Sequence, residues 1–188
     1  MSDRSTSSRR GRFAKADWIM IGLAGLRQEG PDALTIERLT ATARRTRGSF
    51  YHHFASHEDF VRAMADSWLQ QSTVGPIAEM QQAADMRRVR ASLAEFAATL
   101  DHRLERQMRR LGEINTHAHA VVQQSDALRI AMLVQMFQGE FALLPDEALK
   151  RAQLQHAAFV GMQVVFPEAS PEFRRELDLY LAGKLWVG

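Results

Sequence analysis

Cysteine is missing from this chain altogether, which removes disulfides, thiol nucleophiles and cysteine-ligated zinc together. Long apolar runs are missing too. None approaches the roughly 20 residues needed to span a bilayer, and the first residues lack a signal-peptide core. A cytoplasmic protein with no membrane contact is therefore expected. An excess of one charge is also lacking: 24 Lys and Arg stand against 22 Asp and Glu, a net +2, so composition alone points to no nucleic-acid partner. No segment sustains period-2 alternation with β-branched enrichment, which argues against strands. No Gly-rich phosphate loop, nucleophile elbow or His-Glu-x-x-His string occurs. Neither catalytic residues nor a cofactor are expected, and an enzyme in this chain has little to stand on.

What is present is a helical text punctuated by proline and glycine. At 188 residues with 46% hydrophobic content, the chain holds one ordinary domain or a small domain packed on a larger one. The first helix is predicted over 13–29, with Trp18, Ile19, Gly22, Leu23 and Leu26 as its inner stripe and Gly30-Pro31 as its stop. Two short helices follow, and a fourth opens at Ser56, whose spacing to Asp59 fits a capping-box variant. Phe60, Met64 and Trp68 mark its buried face. Gly75-Pro76 breaks the pattern, and a domain boundary is placed near it. A long amphipathic helix is predicted over 85–111, stopped by Gly112, and then a short one over 113–124. Ser125 or Asp126 would cap a helix over 128–144. Pro145 restarts the chain into a helix ending at Pro167, and Ser170-Pro171 opens the last.

The most informative stretch is Thr35 to Phe54. Ile36, Leu39 and Ala43 share a face of one short helix, for which Thr35 is a sound N-cap. After a tight basic turn at Arg44-Arg45, Phe50 and Phe54 share a face at i, i+4 and leave Arg47, Gly48, Tyr51 and His52 outward. A helix anchored by two aromatics and exposing such side chains suits a polar surface met edge-on, and DNA is the candidate. Charge distribution agrees where net charge does not. Arg4, Arg9, Arg10, Arg12 and Lys15 face only Asp3 before position 16, and Arg44, Arg45 and Arg47 cluster at the turn. Residues 1–12 would form a flexible basic arm, although a disordered, solubilising leader fits residues 1–11 as well.

From about Trp18 to Trp68 the chain resembles the helix-turn-helix of the tetracycline-repressor (TetR) family of bacterial transcription regulators, most closely in Gly48-Ser-Phe-Tyr-His-His-Phe54. The resemblance implies an all-α fold: an N-terminal three-helix DNA-binding head, 13–74, joined to a larger helical effector-binding and dimerisation body, 75–188. In a helix-turn-helix the start of the second helix lies nearest the base edges, here Thr46, Arg47, Gly48 and Ser49. Arg47 is the expected base reader, because a guanidinium donates two hydrogen bonds to guanine. Tyr51 and His52 are expected on phosphates or thymine methyls, Thr35 on a phosphate, and His53 partly buried or facing phosphate. Three departures from the family pattern stand out. Arg44 replaces the usual turn glycine and is expected to hold a left-handed backbone. Arg45 replaces a buried aliphatic, so its stem should lie over the hydrophobic edge with its head in solvent or on phosphate. His57 stands where a phosphate-contacting lysine is common.

For the body the resemblance implies an apolar pocket and a dimer of four-helix-bundle type. The pocket is expected from Phe96, Leu100, Met132, Met136, Phe137 and Phe159, with His102, His117 and Gln163 among its polar anchors. Each of its apolar members also fits a plain core. Phe159, Val160, Val164, Phe166, Leu177 and Leu181 exceed what a short terminal helix pair need bury alone, which allows a dimer; the core of a monomer is the alternative. His117 and His119 point about 200° apart on a helix, so no metal site is expected. Glu95, Asp101, Glu105, Glu113 and Glu140 read as helix-surface charges, and Arg103, Arg106, Arg109 and Arg110 as a solvated, salt-bridged face rather than a second nucleic-acid site. The function expected is a homodimeric repressor that binds a pseudo-palindromic operator in double-stranded DNA and is released by a small apolar or aromatic effector. The alternative is a helical sensor or sequestration protein whose head no longer reads an operator.

Overall fold

The computed structural model describes residues 13–82 and 85–185, with the side chains of Met86 and Leu185 outside that description, and the expected N-terminal arm over 1–12 lies outside the described residues. The described chain is helical, with no strand among those residues. In order come α1 (Lys15–Glu29), a 3-10 turn (Pro31–Leu34), α2 (Ile36–Ala43), α3 (Arg47–Tyr51) and α4 (His57–Leu69). A π-helical turn (Gln70–Val74) leads to α5 (Gly75–Met80), α6 (Met86–Thr99), α7 (His102–Ile114), α8 (Thr116–Phe141), α9 (Pro145–Val165) and α10 (Pro171–Leu185).

The head forms where the sequence pattern is strongest. Thr35 Oγ1 accepts from the Arg38 amide at 3.4 Å and Ser56 Oγ from the Asp59 amide at 3.0 Å, so α2 and α4 start on the caps their sequences carry. Trp18, Leu26, Leu39, Phe50, Phe54, Phe60 and Met64 are buried in one cluster. A β-carbon on Gly22 would lie 2.5 Å from Phe60 Cζ, so α1 and α4 approach as closely as they do only because glycine stands there. The same cluster takes in Met108, Leu111, Ala118 and Val121 of α7 and α8, so head and body share an interior.

Four expected boundaries are corrected. The chain does not break at Gly75-Pro76: the Gly75 amide donates to Gln70 O, five residues back, and the widened turn carries the helix on into α5. Proline cannot donate to the ladder, and a π-type turn beside it lets the axis continue. The helix expected over 85–111 is two helices. Leu100 is extended (ψ 147°), and Asp101 Oδ1 caps α7 by accepting from the Leu104 amide at 3.0 Å. Apolar spacing runs through this corner, which hides it from periodicity. Gly112 does not end α7 but lies inside it, where a β-carbon would come within 3.2 Å of His119 Cα; its task is the close approach of α7 to α8.

The fourth correction concerns α8, which is continuous from an Asn115 cap, with Asn115 Oδ1 accepting from the Ala118 amide at 2.9 Å. Ser125 and Asp126 cap nothing. Ser125 Oγ shares a buried 2.7 Å hydrogen bond with Thr73 Oγ1, and Asp126 accepts from both terminal nitrogens of Arg109 at 2.8 and 2.6 Å. Those Arg109 bonds, with burial opposing them, hold the Asp126 carboxyl well below the usual carboxylate range. At the other end, α9 starts with Pro145 at its first position, and Ser170 Oγ accepts from the Phe173 amide at 3.2 Å to start α10.

Candidate nucleic-acid interface and effector cavity

The turn between α2 and α3 keeps the expected geometry despite its two arginines. Arg44 sits in the left-handed region (φ 51°, ψ 47°), and its amide donates to Ala41 O at 3.1 Å. A non-glycine residue holds that conformation at about 1–2 kcal/mol. The Arg45 guanidinium lies 4.9 Å from the centre of the Phe13 ring, a cation–π contact in the place of a buried aliphatic. Thr46 Oγ1 accepts from the Ser49 amide at 3.2 Å and so caps α3. Beneath the helix, Phe50 meets Trp18 edge-on at 5.3 Å between ring centres and packs on Phe54 at 5.2 Å. Phe54 lies beyond the end of α3, but its amide still donates to Phe50 O at 3.1 Å, completing the turn.

That anchoring leaves Arg47, Gly48, Tyr51 and His52 exposed, with Ser49 half-buried. The Arg47 guanidinium is ion-paired with Glu37 of α2, and both side chains are about two-thirds exposed. Thr35 remains exposed at the start of α2. His53 is half-buried, its ring edge-on to His52 at 5.0 Å. His57 turns one ring nitrogen to a backbone carbonyl. Its Nε2 lies 2.6 Å from Leu34 O; a carbonyl only accepts, so the ring proton is on Nε2. The single N–H of the neutral ring is therefore spent on the backbone that leads into α2. Sequence reasoning had no signal for Glu37 as a partner of Arg47, ten residues on.

A second feature lies in the body. α5, α6, α8, α9 and one residue of α10 line a partly open cavity whose walls are mainly apolar. Met80, Leu93, Phe96, Met132, Met136 and Phe159 make its walls. Arg90, Arg129, Gln155, His156 and Asp178 supply its polar groups. Arg129 joins the cavity to the helix that carries the head. Its two terminal nitrogens donate to Glu105 at 2.6 and 3.2 Å, and one also donates to Ser72 O at 3.0 Å, while Trp68 Nε1 donates to the same carboxylate at 3.1 Å. Glu105 is 1% exposed, so the expected helix-surface charge is in fact a buried ion-pair partner.

A family model described as bacterial regulatory proteins, tetR family, matches residues 23–64, from the middle of α1 to the middle of α4. The match covers the helix-turn-helix and the helices on either side of it. Its whole fold is similar to two solved structures, although at low sequence identity. One is a proposed transcriptional regulator from Pseudomonas aeruginosa PAO1, with TM-score 0.70 and 14% identity over 93% of this chain and 90% of that one. The other is the fatty acid degradation regulator FadR from Bacillus halodurans, with TM-score 0.68 and 13% identity over 95% and 98%. No curated protein matches the chain.

The cavity gathers Phe96, Leu100, Met132, Met136 and Phe159 from the residues expected to form it. It leaves out four. His117 bonds Asp66 of α4 through Nε2 at 2.7 Å, away from the cavity. Phe137 packs with Ala148 and Ala152 in a neighbouring cluster. His102 donates from Nε2 to Ala97 O at 2.8 Å, and burial pushes its pKa down. Gln163 is fully buried and does not line the cavity. The polar residues that do line it escaped sequence reasoning because nothing in their spacing marks them. Three of the four arginines from Arg103 to Arg110 are also corrected: Arg103 donates to Gln28 O, Arg106 to Gln163 O and Pro167 O, and Arg109 to Asp126, so these are tertiary bonds, whereas Arg110 bonds Gln107 along the same helix. Among the described residues no three His, Asp or Glu side chains gather as a metal ion requires, and no helix is long and apolar enough to cross a membrane.

Proposed function

We propose that the protein is a homodimeric transcriptional repressor that reads a pseudo-palindromic operator and is released by a small effector bound in the body cavity. The observation that carries the reading is the exposed edge of α3. Arg47, Gly48, Tyr51 and His52 stand out over a sealed aromatic base, which is the arrangement that enters a major groove. Arg47 is the base reader, with Ser49, Tyr51, His52 and Thr35 on the backbone. Glu37 holds the Arg47 guanidinium until a guanine edge competes for it, and an exposed ion pair of this kind is worth about 1 kcal/mol or less. Arg45, stacked on Phe13, secures the turn and adds positive field.

Dimerisation is supported by an apolar face on α9 and α10. Leu154, Val164, Val165, Phe166, Leu179 and Tyr180 are each 42–69% exposed, and large contiguous exposed apolar surface marks an interaction site. Gly161, on the same stretch of α9, has open space where a side chain would stand. Of the residues expected there, Val164 and Phe166 lie on this outer face, Val160, Leu177 and Leu181 are half-buried, and Phe159 turns inward to the cavity. Two heads would then sit in successive major grooves about 34–36 Å apart. An effector shifts DNA binding only by its differential affinity for the two states.

Selection of bound sequences from randomised duplex DNA at a stated salt concentration tests the reading, with light scattering on the same sample. One inverted-repeat motif and a dimer mass are expected. No motif from folded protein overturns it in favour of a helical sensor, and a stable monomer at operator-binding concentration overturns the dimer.

A further inference from the structure

The charged groups on the cavity walls do not balance. Arg129 is matched by Glu105, and Arg90 by Glu140 with 3.1 Å between Nε and Oε2. His156 lies 2.9 Å from Asp126, which also holds Arg109. The remaining charged lining residue is Asp178 of α10. Its hydrogen bond comes from the neutral Gln155 amide, and no described cation pairs with it. Burial raises its carboxyl above the ordinary range, with the Gln155 bond opposing that rise. A carboxylate among apolar walls without a counter-charge is costly, and a ligand that brings the charge relieves the cost.

The walls around it suit such a ligand. Phe96 lines the cavity as an aromatic wall, and Met80, Met132 and Met136 offer polarisable thioethers, surfaces that accept an organic cation with its hydrocarbon body. The Phe159 ring already stacks on His156 and carries the Arg129 guanidinium at 5.7 Å, so it takes the apolar body and not the charged head. An anion is less well served. Arg129 already commits its terminal nitrogens to Glu105 and Ser72 O, so an acid would have to displace a buried carboxylate.

We propose that this cavity takes a lipophilic cation, an amine or quaternary ammonium whose head lies on Asp178 and whose apolar body lies against Met132, Met136 and Phe159. The ligand class rests on the effector reading only for its consequence at the operator, not for binding itself. Asp178 is on the helix whose outer side carries Leu179 and Tyr180, so the ligand's charge would act on the element next to the proposed dimer face.

Three probes of one shape decide it: 4-phenylbutylamine, 4-phenylbutanol and 4-phenylbutyrate, titrated calorimetrically into the full chain near neutral pH. The amine is expected to bind about tenfold more tightly than the alcohol, the scale of one charge-assisted hydrogen bond, and the acid most weakly. Asp178→Asn, with unchanged circular dichroism, is expected to bring the amine to the alcohol's level and leave the alcohol where it was. An amine no better than the alcohol, an acid that binds best, or a preference that survives Asp178→Asn overturns the proposal. Failure of all three to bind folded protein overturns it as well. Release of a selected operator separates the two readings. Amine preference without release sinks the effector role and keeps the cation site; release by the acid or alcohol alone does the reverse.

Discussion

Head and body are built from the same kind of helix and share a buried cluster, but the parts of the interior beneath α3 and around the cavity are filled in opposite ways. In the head, Trp18, Phe50, Phe54 and Phe60 are at most 1% exposed and pack with ring centres 5.1–5.5 Å apart. In the body the buried set includes Glu105, Ser125, Gln155, His156 and Gln163, and a cavity opens beside them. Interlocking rings have few good arrangements, so the head presents α3 in one pose. A body held by buried ion pairs around open space has helices that can settle differently when the space is filled. The face that α3 presents stands on the tightly packed part, and the body is the part with room to move.

Substitutions can break or sharpen that contrast. The largest loss is expected from Phe50→Ala, which empties the centre of the ring cluster and should cost about 3–5 kcal/mol in urea unfolding. A smaller value would mean that the head collapses around the gap and is less rigid than described. Glu105→Ala should cost a similar 3–5 kcal/mol, by leaving the Arg129 guanidinium without its carboxylate. Joint replacement by Glu105→Leu and Arg129→Met should recover most of that loss, because an apolar pair avoids the desolvation of both charges. Additive losses instead would show that the two side chains are not energetically coupled.

Arg47→Ala should leave stability within about 0.5 kcal/mol, while costing roughly 1–3 kcal/mol of operator affinity and relaxing preference at one base position. Unchanged affinity and preference would remove Arg47 as base reader. The smallest effect is expected at the turn, where Arg44→Gly should stabilise the protein by about 0.5–1 kcal/mol in the same unfolding measurement, since glycine holds a positive φ at no steric cost. Destabilisation would mean that the Arg44 side chain makes up for its backbone strain.

The head was legible because its determinants are local. Phe50 and Phe54 lie one turn apart, Thr35 and Ser56 sit next to the helices they cap, and Arg44 follows directly from the backbone the turn requires. The body was legible only in outline. Apolar spacing marked α6 and α7 as helical yet ran across the Asp101 corner, and Gly112 read as a stop because its real neighbour, His119, belongs to the next helix. Glu105 read as a surface charge because its partners, Trp68 and Arg129, lie 37 and 24 residues away. Five cavity residues were found through apolar character, whereas Asp178 and Arg129 carry no local mark of where they point.

By itself, then, the sequence determined a helical chain with a helix-turn-helix head, since capping, turn conformation and i, i+4 aromatic pairing act within a few residues. Tertiary structure alone decided which polar side chains are buried, which arginine meets which carboxylate, and that Asp178 lines the cavity with no cation paired to it among the described residues. Those outcomes depend on distances between helices far apart in the chain, and charge pairing follows distance in space rather than spacing in sequence.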